Sequence, residues 1–305
     1  MTILGILFGT ITVLAWGTWL APSEKVELPN AFARAFYIAL GNLILASVVL
    51  LVVGTDKMSF QIFLYPFLGG LIWSLGALCA FTGIPRIGMA RAFGTWAPLN
   101  IVVGLLWGMV LFGEFLKSGS TTLVMAVFSV AIIILGILLI IFSGDSDEKK
   151  ATLRDLVVGF GGAIGAGLFW GTYFVPTAYL AREAEGVSGW LTAFPLAVGM
   201  FVGSGLLTAF SGKVPKCKSA GDYGRVVLSG LLWSVGNFAM LLTVAQIGMG
   251  KGFTIAQLCV VVNALIGIVI FKDPPPRSRA AKLTLAGVIL ATIGGVVLGN
   301  LKQGM

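Results

Sequence analysis

The chain has 305 residues, of which 58% are hydrophobic and only 10% are charged. Its mean hydropathy of +1.01 excludes an ordinary soluble domain, in which about a quarter of the residues are charged. The net charge of +8 comes from basic residues in short loops between apolar segments, a pattern typical of membrane proteins, so we expect no nucleic-acid binding.

Ten apolar segments follow one another along the chain, and each is long enough to cross the roughly 30 Å hydrocarbon core as a helix. The predicted spans are residues 3–21, 31–53, 62–83, 91–112, 121–142, 156–179, 190–210, 225–246, 252–271 and 282–300. The first span lacks a basic leader and is followed directly by Pro22, so we expect a retained helix rather than a cleaved signal. The predicted fold is an all-α membrane protein with ten transmembrane helices.

An internal repeat relates the two halves of the chain. The segment Trp16–Pro22 closes the first span, and the similar segment Trp170–Pro176 closes the sixth; both read Trp-Gly-Thr, an aromatic residue, two apolar residues and proline. Three further pairs follow in the same order: Ala35-Phe36 with Ala193-Phe194, Leu71–Gly76 with Leu231–Gly236, and Ile87–Phe93 with Ile247–Phe253. Four matches in one order indicate a duplicated unit.

The number of spans in each unit sets the relative direction of the two units. Because each unit holds five spans, an odd number, the second must enter the membrane from the opposite side. The sequence therefore predicts inverted repeats, the architecture associated with alternating access. We place the first repeat at residues 1–142, a cytoplasmic linker at 143–155 and the second repeat at 156–305.

Basic residues are distributed unequally between the two sides of this topology. Fifteen lie in or beside the loops after the odd-numbered spans and five lie on the other side, together the twenty lysines and arginines of the chain. The positive-inside rule places the richer side in the cytoplasm. We therefore predict a multi-pass protein of the cytoplasmic membrane with both termini outside.

Polar and aromatic side chains are concentrated in spans one, three, four, six, eight and nine, whereas spans five and ten are almost purely aliphatic. The candidate substrate-binding residues are Trp16, Thr18, Trp19, Trp73, Trp96, Asn100, Trp170, Thr172, Tyr173, Trp233, Asn237, Gln257 and Asn263. Indole faces stack on the C–H face of a sugar ring and amides pair with its hydroxyls, so the set suits a neutral polyhydroxylated ligand. Alternatively, Trp16, Trp19 and Trp190 belong to an interfacial aromatic belt.

Matched charged residues lie at the ends of spans four and nine. Arg91 and Lys251 begin these spans and Glu114 and Asp273 end them, in each case where the helix macrodipole disfavours the charge. A gating or coupling role would explain both pairs. The alternatives are snorkelling of the basic side chains to lipid headgroups and solvation of the acidic ones in loops.

The positions of the carboxylates and cysteines and the absence of histidine limit the enzyme activity, proton transfer and metal binding that the chain can support. No carboxylate lies in the middle of a span and the chain has no histidine, which argues against a membrane-embedded enzyme and against a proton relay at depth. Any proton coupling must therefore use carboxylates nearer the span ends. The three cysteines, Cys79, Cys217 and Cys259, have neither metal-site spacing nor an obvious pairing. We predict no catalytic residue, no metal and no cofactor.

The ten spans, the Trp-Gly-Thr segments ending in Pro22 and Pro176, and Gly113-Glu114 at the end of span four resemble the drug/metabolite transporter superfamily. Within it, the early Trp-Gly motif and the segment Ile87–Arg91 are similar to the glucose/ribose porter group of bacterial sugar uptake proteins, near the L-rhamnose/proton symporters. The resemblance implies a ten-helix bundle whose first, third, fourth, sixth, eighth and ninth spans line a central cavity. It also implies secondary transport of sugars, often with protons.

These observations together predict a secondary transporter for a small neutral sugar, such as glucose, ribose or a rhamnose-like sugar, that works by alternating access. Its expected partners are the small-molecule substrate, the lipid bilayer and coupled protons, and its expected state is a monomer or homodimer. An exporter of amino acids or other small metabolites with the same fold is the first alternative. A membrane-embedded enzyme is the second.

Overall fold

The computed structural model describes residues 3–112, 119–143, 152–184, 187, 189–247, 255–256 and 258–301. Every regular element in these ranges is helical. The helices are α1 (Ile3–Thr18), α2 (Ala31–Val53), α3 (Phe60–Ile87), α4 (Met89–Phe112), α5 (Ser120–Ile141), α6 (Leu153–Thr172), α7 (Val175–Glu183), α8 (Gly189–Phe210), α9 (Ala220–Ile247), α10 (Cys259–Leu265) and α11 (Arg279–Gly299). A 3-10 turn, Ala21–Ser23, follows α1, and a π-helix, Ile266–Phe271, continues α10.

Eight helical segments in the described part of the chain are long and apolar enough to cross a membrane. One of the eight runs through α6 and α7, from Leu153 to Glu183. The all-α membrane fold predicted from the sequence is therefore confirmed. Of the two other predicted spans, residues 225–246 correspond to α9, which has 28 residues, and residues 252–271 overlap the shorter apolar segment Cys259–Phe271. Residues 252–254 and 257 of that predicted span lie outside the described residues.

Polar side chains begin several of these helices by accepting hydrogen bonds from free backbone N–H groups. The Oδ1 atom of Asn30 accepts from Ala33 N at 3.0 Å to begin α2, and the Oγ atom of Ser278 accepts from Ala281 N at 3.0 Å to begin α11. Pro22 and Pro176 lie in the first turn of the short helices after α1 and α6. Proline suits that position because its missing N–H would have no partner there anyway.

The helix contacts occur in corresponding pairs. Helix α1 packs against α9 as α6 packs against α3, and α2 packs against α9 as α8 packs against α3. Likewise α1 packs against α10 and α6 against α4, while α2 meets α8 and α5 meets α11. Each of these contacts joins a helix of residues 1–142 to a helix of the second half of the chain.

Two glycine contacts bring backbones together where α2 crosses α9 and where α3 crosses α8. A Cβ atom on Gly41 would lie 2.9 Å from the Cα of Gly230, and one on Gly199 would lie 3.0 Å from the Cα of Gly70. An added Cβ would also clash with a backbone carbonyl oxygen, that of Val227 for Gly41 and that of Phe67 for Gly199, so both crossings require glycine.

Candidate functional site

Six tryptophans meet at the centre of the helix bundle and form what we call the tryptophan cluster. Its members are Trp16, Trp19, Trp73, Trp96, Trp170 and Trp233. None of these side chains is more than 8% exposed. The interfacial-belt alternative for Trp16 and Trp19 is therefore wrong, because belt residues lie at the membrane surface and these two lie in the protein core.

The rings of the cluster contact one another in both stacked and edge-on geometries. The centroids of Trp19 and Trp233 are 4.8 Å apart at an angle of 62°, and those of Trp96 and Trp170 are 5.2 Å apart at 85°. Trp16 stacks on Trp233 at 5.6 Å with an angle of 25° between the planes. Such arrangements are the favoured ones for aromatic quadrupoles, so the cluster is well packed.

Hydrogen bonds to main-chain carbonyls hold two of the cluster positions. The Nε1 atom of Trp170 donates to the carbonyl of Trp73 at 3.1 Å, and the Nδ2 atom of Asn263 donates to the carbonyl of Trp16 at 3.1 Å. Asn263 is itself buried on α10. The second bond therefore fixes the C-terminal end of α1 against α10.

A cavity of about 50 Å³, the central cavity, lies against the tryptophan cluster. It is lined by Trp16, Trp19, Phe93, Trp96, Ala97, Asn100, Trp170, Tyr173, Phe174, Trp233, Cys259 and Asn263. Three buried polar atoms of this lining have no hydrogen-bond partner among the described residues: Trp16 Nε1, Trp233 Nε1 and Asn100 Oδ1. The volume admits a few water molecules, since one water needs roughly 10–15 Å³.

A larger cavity of about 230 Å³, the α7 cavity, lies between α2, α7, α8 and α9. It is lined by Asn42, Ala46, Phe174, Thr177, Ala178, Ala181, Val187, Gly189, Thr192, Ala193, Leu196, Ser234, Asn237, Phe238 and Met240. Ala181 is exposed, so the cavity reaches the molecular surface at α7. Phe174 lines both cavities and therefore lies between them.

The predicted substrate-binding residues divide over several environments. Nine of the thirteen are placed around the central cavity or directly behind it, where Trp73 packs against Trp170 at 6.0 Å. Asn237 lines the α7 cavity instead. The hydroxyls of Thr18 and Thr172 donate to carbonyls of their own helices, at Leu14 and Leu168, and line neither cavity. Gln257 lies outside the described residues.

Several residues that line these cavities were not among the predicted substrate-binding residues. Phe93, Phe174 and Cys259 face the central cavity, and Asn42 and Thr177 face the α7 cavity. Phe174 lies within the repeated segment Trp170–Pro176 and Thr177 directly follows it. Their place in the repeat could therefore have indicated that they line a cavity. Nothing in the sequence distinguishes Asn42 from a polar residue that faces a neighbouring helix.

Of the predicted gating residues, the two in the described part of the chain, Arg91 and Asp273, line neither cavity. Arg91 is buried at the start of α4, only 4% exposed. Asp273 is exposed after the π-helix, where a Cβ atom on Gly88 would lie 2.7 Å from its Cγ atom. Lys251 and Glu114 lie outside the described residues.

Hydrogen bonds hold the connection between α1 and α2 against the bundle. The guanidinium of Arg34 donates to the carbonyls of Ser23 and Val26, and Ser229 on α9 donates to the hydroxyl of Ser23 at 2.8 Å. Burial raises the pKa of the nearby Glu24 carboxyl, an effect that Arg34 opposes and Asp273 reinforces.

The chain is similar to known proteins over nearly its whole length. A family model described as "Sugar transport protein" matches residues 7–301. A Bacillus anthracis protein named for sugar uptake is 27% identical over 305 residues, covering 98% of this chain and 100% of that protein. The glucose uptake protein GlcU of Bacillus subtilis is 26% identical over 298 residues, covering 97% and 98%. A solved crystal structure, 18% identical, covers 97% of each chain with a TM-score of 0.62, which indicates a shared fold.

Proposed function

The chain belongs to the sugar transport protein family, and from that premise we propose that it is a secondary transporter for a small neutral sugar. Glucose, ribose and a rhamnose-like sugar are the candidate substrates. Relatives similar over nearly their whole length are named for sugar uptake and, in one case, for glucose uptake.

The observation that carries the proposal is the set of partnerless polar atoms beside the tryptophan cluster. Leaving a buried donor or acceptor unpaired costs about 1–3 kcal/mol. A sugar hydroxyl can accept from the Nε1 atoms of Trp16 and Trp233 and donate to Oδ1 of Asn100, which have no partner among the described residues. Indole faces meanwhile offer a stacking surface to the C–H face of the ring.

The absence of charge in the lining supports a neutral ligand. Among the described residues, none that lines the central cavity or the α7 cavity is acidic or basic. A zwitterionic amino acid or an anionic metabolite would leave its charges unpaired there, at high desolvation cost. This favours the sugar over the amino-acid alternative.

We further propose that transport proceeds by alternating access between two inverted repeats, residues 1–142 and 156–305. The corresponding helix contacts, such as α1 with α9 and α6 with α3, support this division. The fifteen-to-five distribution of basic residues supports a topology with both termini outside the cytoplasmic membrane. In that topology α7 lies on the outer face, and the conformation described here has its larger cavity open outward.

We also propose that sugar transport is coupled to protons. Because the chain has no histidine, the coupling groups must be carboxylates, and Asp273 together with the neighbouring Glu24 is the candidate pair among the described residues. Two carboxylates close together favour retention of a proton on one of them. Arg91, buried at the head of α4, is proposed to act in gating.

Flux through reconstituted protein tests the proposal. We expect proteoliposomes, but not protein-free liposomes, to take up radiolabelled D-glucose, D-ribose or L-rhamnose with saturation. An inward proton gradient should accelerate uptake if protons are coupled. Saturable flux of an amino acid, with none of any of the three sugars, would instead support the exporter alternative.

A further inference from the structure

The two cavities differ in the size of the ligand that they admit. The central cavity, about 50 Å³, has room for a few water molecules, whereas the α7 cavity measures about 230 Å³. A hexose has about a dozen non-hydrogen atoms, each comparable in size to a water oxygen. In the conformation described here, the α7 cavity is therefore the one of the two that has room for a monosaccharide.

Polar atoms without strong partners line the α7 cavity. The Oδ1 atom of Asn237 and the Oγ1 atom of Thr177 are buried and have no hydrogen-bond partner among the described residues. The Nδ2 atom of Asn42 donates to the thioether of Met200 at 3.2 Å, and sulfur is a weak acceptor. Ser234 donates to the carbonyl of Asn42 at a long 3.5 Å. These groups have unused capacity for the hydroxyls of a ligand.

Aromatic side chains provide the apolar part of the same cavity. Phe238 lines it and is backed by Trp190, whose ring stacks on it at 5.3 Å with 19° between the planes. Phe174 lines the other end and contacts Tyr173 at 4.0 Å. Phe174 and Tyr173 both line the central cavity, and Phe174 lines the α7 cavity as well, so Phe174 lies between the two spaces.

We propose that the α7 cavity is a second monosaccharide-binding site, in which the sugar binds before it passes Phe174 to reach the tryptophan cluster. The proposal rests on the proposed function. It assigns hydroxyl recognition in this site to Asn237 and Thr177, and stacking to Phe238 and Phe174. Phe174 is then the side chain that must move for the sugar to pass from one site to the other.

Removal of partnerless hydroxyls at two positions tests the proposal. The variant Thr177→Val deletes one in the α7 cavity, and the control Thr292→Val deletes one on α11, outside both cavities. Each change removes an unpaired buried polar atom, so each should preserve or raise the melting temperature of the sugar-free protein. Only Thr177→Val should weaken sugar binding, by roughly three- to tenfold, since one hydrogen bond is lost.

Binding should be measured by the sugar-dependent rise in melting temperature in detergent, using whichever of D-glucose, D-ribose and L-rhamnose the wild type transports fastest. The variant Asn237→Leu should show the same loss and guards against a misfolded Thr177→Val protein. Wild-type affinity in both variants, with normal sugar uptake, would overturn the second site while leaving the proposed function intact. Failure of the proposed function is distinct, since the wild type would then transport none of the three sugars.

Discussion

Trp16 fits against α9 at Gly236, where a Cβ atom would lie only 3.0 Å from the Cγ atom of its indole and closer still to other ring atoms. Trp170 fits against α3 at Gly76 with the same 3.0 Å separation. Each ring thus fills a notch that the absence of a side chain leaves on the opposite helix. The position of both tryptophans depends on these two glycines.

Filling one notch should displace a cluster member. We expect Gly236→Ala to lower the free energy of unfolding by about 1–3 kcal/mol, because an added methyl group overpacks a well-filled core, and to abolish sugar uptake. The control is Gly104→Ala, where an added Cβ meets no atom within 4 Å. Thermal melting in detergent and uptake into proteoliposomes measure the two effects. Wild-type behaviour of Gly236→Ala would contradict the packing described.

Adjacent glycines on α6 should respond in opposite ways to alanine. A Cβ on Gly162 would lie 2.6 Å from the carbonyl oxygen of Cys79, which is backbone of α3, whereas one on Gly161 meets nothing within 4 Å. We expect Gly162→Ala to lower the melting temperature, since a helix backbone cannot move away cheaply. Gly161→Ala should keep or raise it, because alanine favours helix over glycine. Equal effects of the two changes would show that α3 and α6 pack less closely than described.

The corresponding glycine contacts provide a test of the proposed repeats. Gly41 approaches Gly230 as Gly199 approaches Gly70, at 2.9 and 3.0 Å measured from the added Cβ to the partner Cα. If the halves are equivalent structural units, Gly41→Ala and Gly199→Ala should destabilise the protein to a similar extent, by a few kcal/mol each. Both should be compared by thermal melting. A large effect at one position and none at the other would count against equivalent halves.

Two tryptophans with partnerless indole N–H groups differ in their access to the ligand. Trp233 lines the central cavity, whereas Trp73 packs behind it. We expect Trp233→Phe to raise the KM for sugar uptake roughly three- to tenfold, because the hydrogen bond from its Nε1 atom to the substrate is lost. Trp73→Phe should leave KM near that of the wild type. The reverse order would argue that the sugar binds on the other side of the cluster.

The sequence predicted the cluster better than it predicted the cavities. The repeated Trp-Gly-Thr segments and the Trp-Ser motifs of spans three and eight hold five of the six cluster tryptophans, and the family resemblance is confirmed. A large ring in a membrane span packs either in the protein core or at the interface, and the sequence left both alternatives open for Trp16 and Trp19. The structure shows that both are buried in the core.

Small polar residues were predicted less well because their environment depends on helix rotation and on tertiary neighbours. Thr18 and Thr172 bond to their own helices, a choice that the sequence does not reveal. Asn237 lies four residues after Trp233, one turn further along the same face of α9, yet it lines the α7 cavity and not the central cavity. Phe174 lies in the break between α6, which ends at Thr172, and α7, which begins at Val175, so its position does not follow the periodicity of either helix.

Glu24 should make stability depend on pH. Burial raises the pKa of its carboxyl above the usual 4.5, so the folded protein holds this proton more tightly than the unfolded chain. The resulting stabilisation is complete below pH 4.5 and is lost as pH rises through the folded-state pKa. The side chain in the variant Glu24→Gln is neutral at every pH, so the variant should lose less stability as pH rises. Its melting temperature at neutral pH should be higher than that of the wild type.

The measurement is the melting temperature in detergent as a function of pH, with Glu27→Gln as the control. Glu27 pairs with Lys218 at the exposed surface, and such pairs contribute little. Arg34 and Asp273 surround Glu24 and act in opposite directions on its charge, so both should be kept unchanged. Parallel curves for the wild type and Glu24→Gln would rule out a raised pKa at this position.

The glycine crossings of α2 with α9 and of α3 with α8 also bear on how the molecule moves. Each joins a helix of residues 1–142 to one of residues 156–305, and in each the contact is backbone against backbone. At both points the atoms nearest to an added Cβ are backbone atoms of the opposite helix, so a small rotation at the crossing itself displaces no long side chain. We expect the two crossings to serve as fixed pivots, around which one end of the bundle widens as the other narrows.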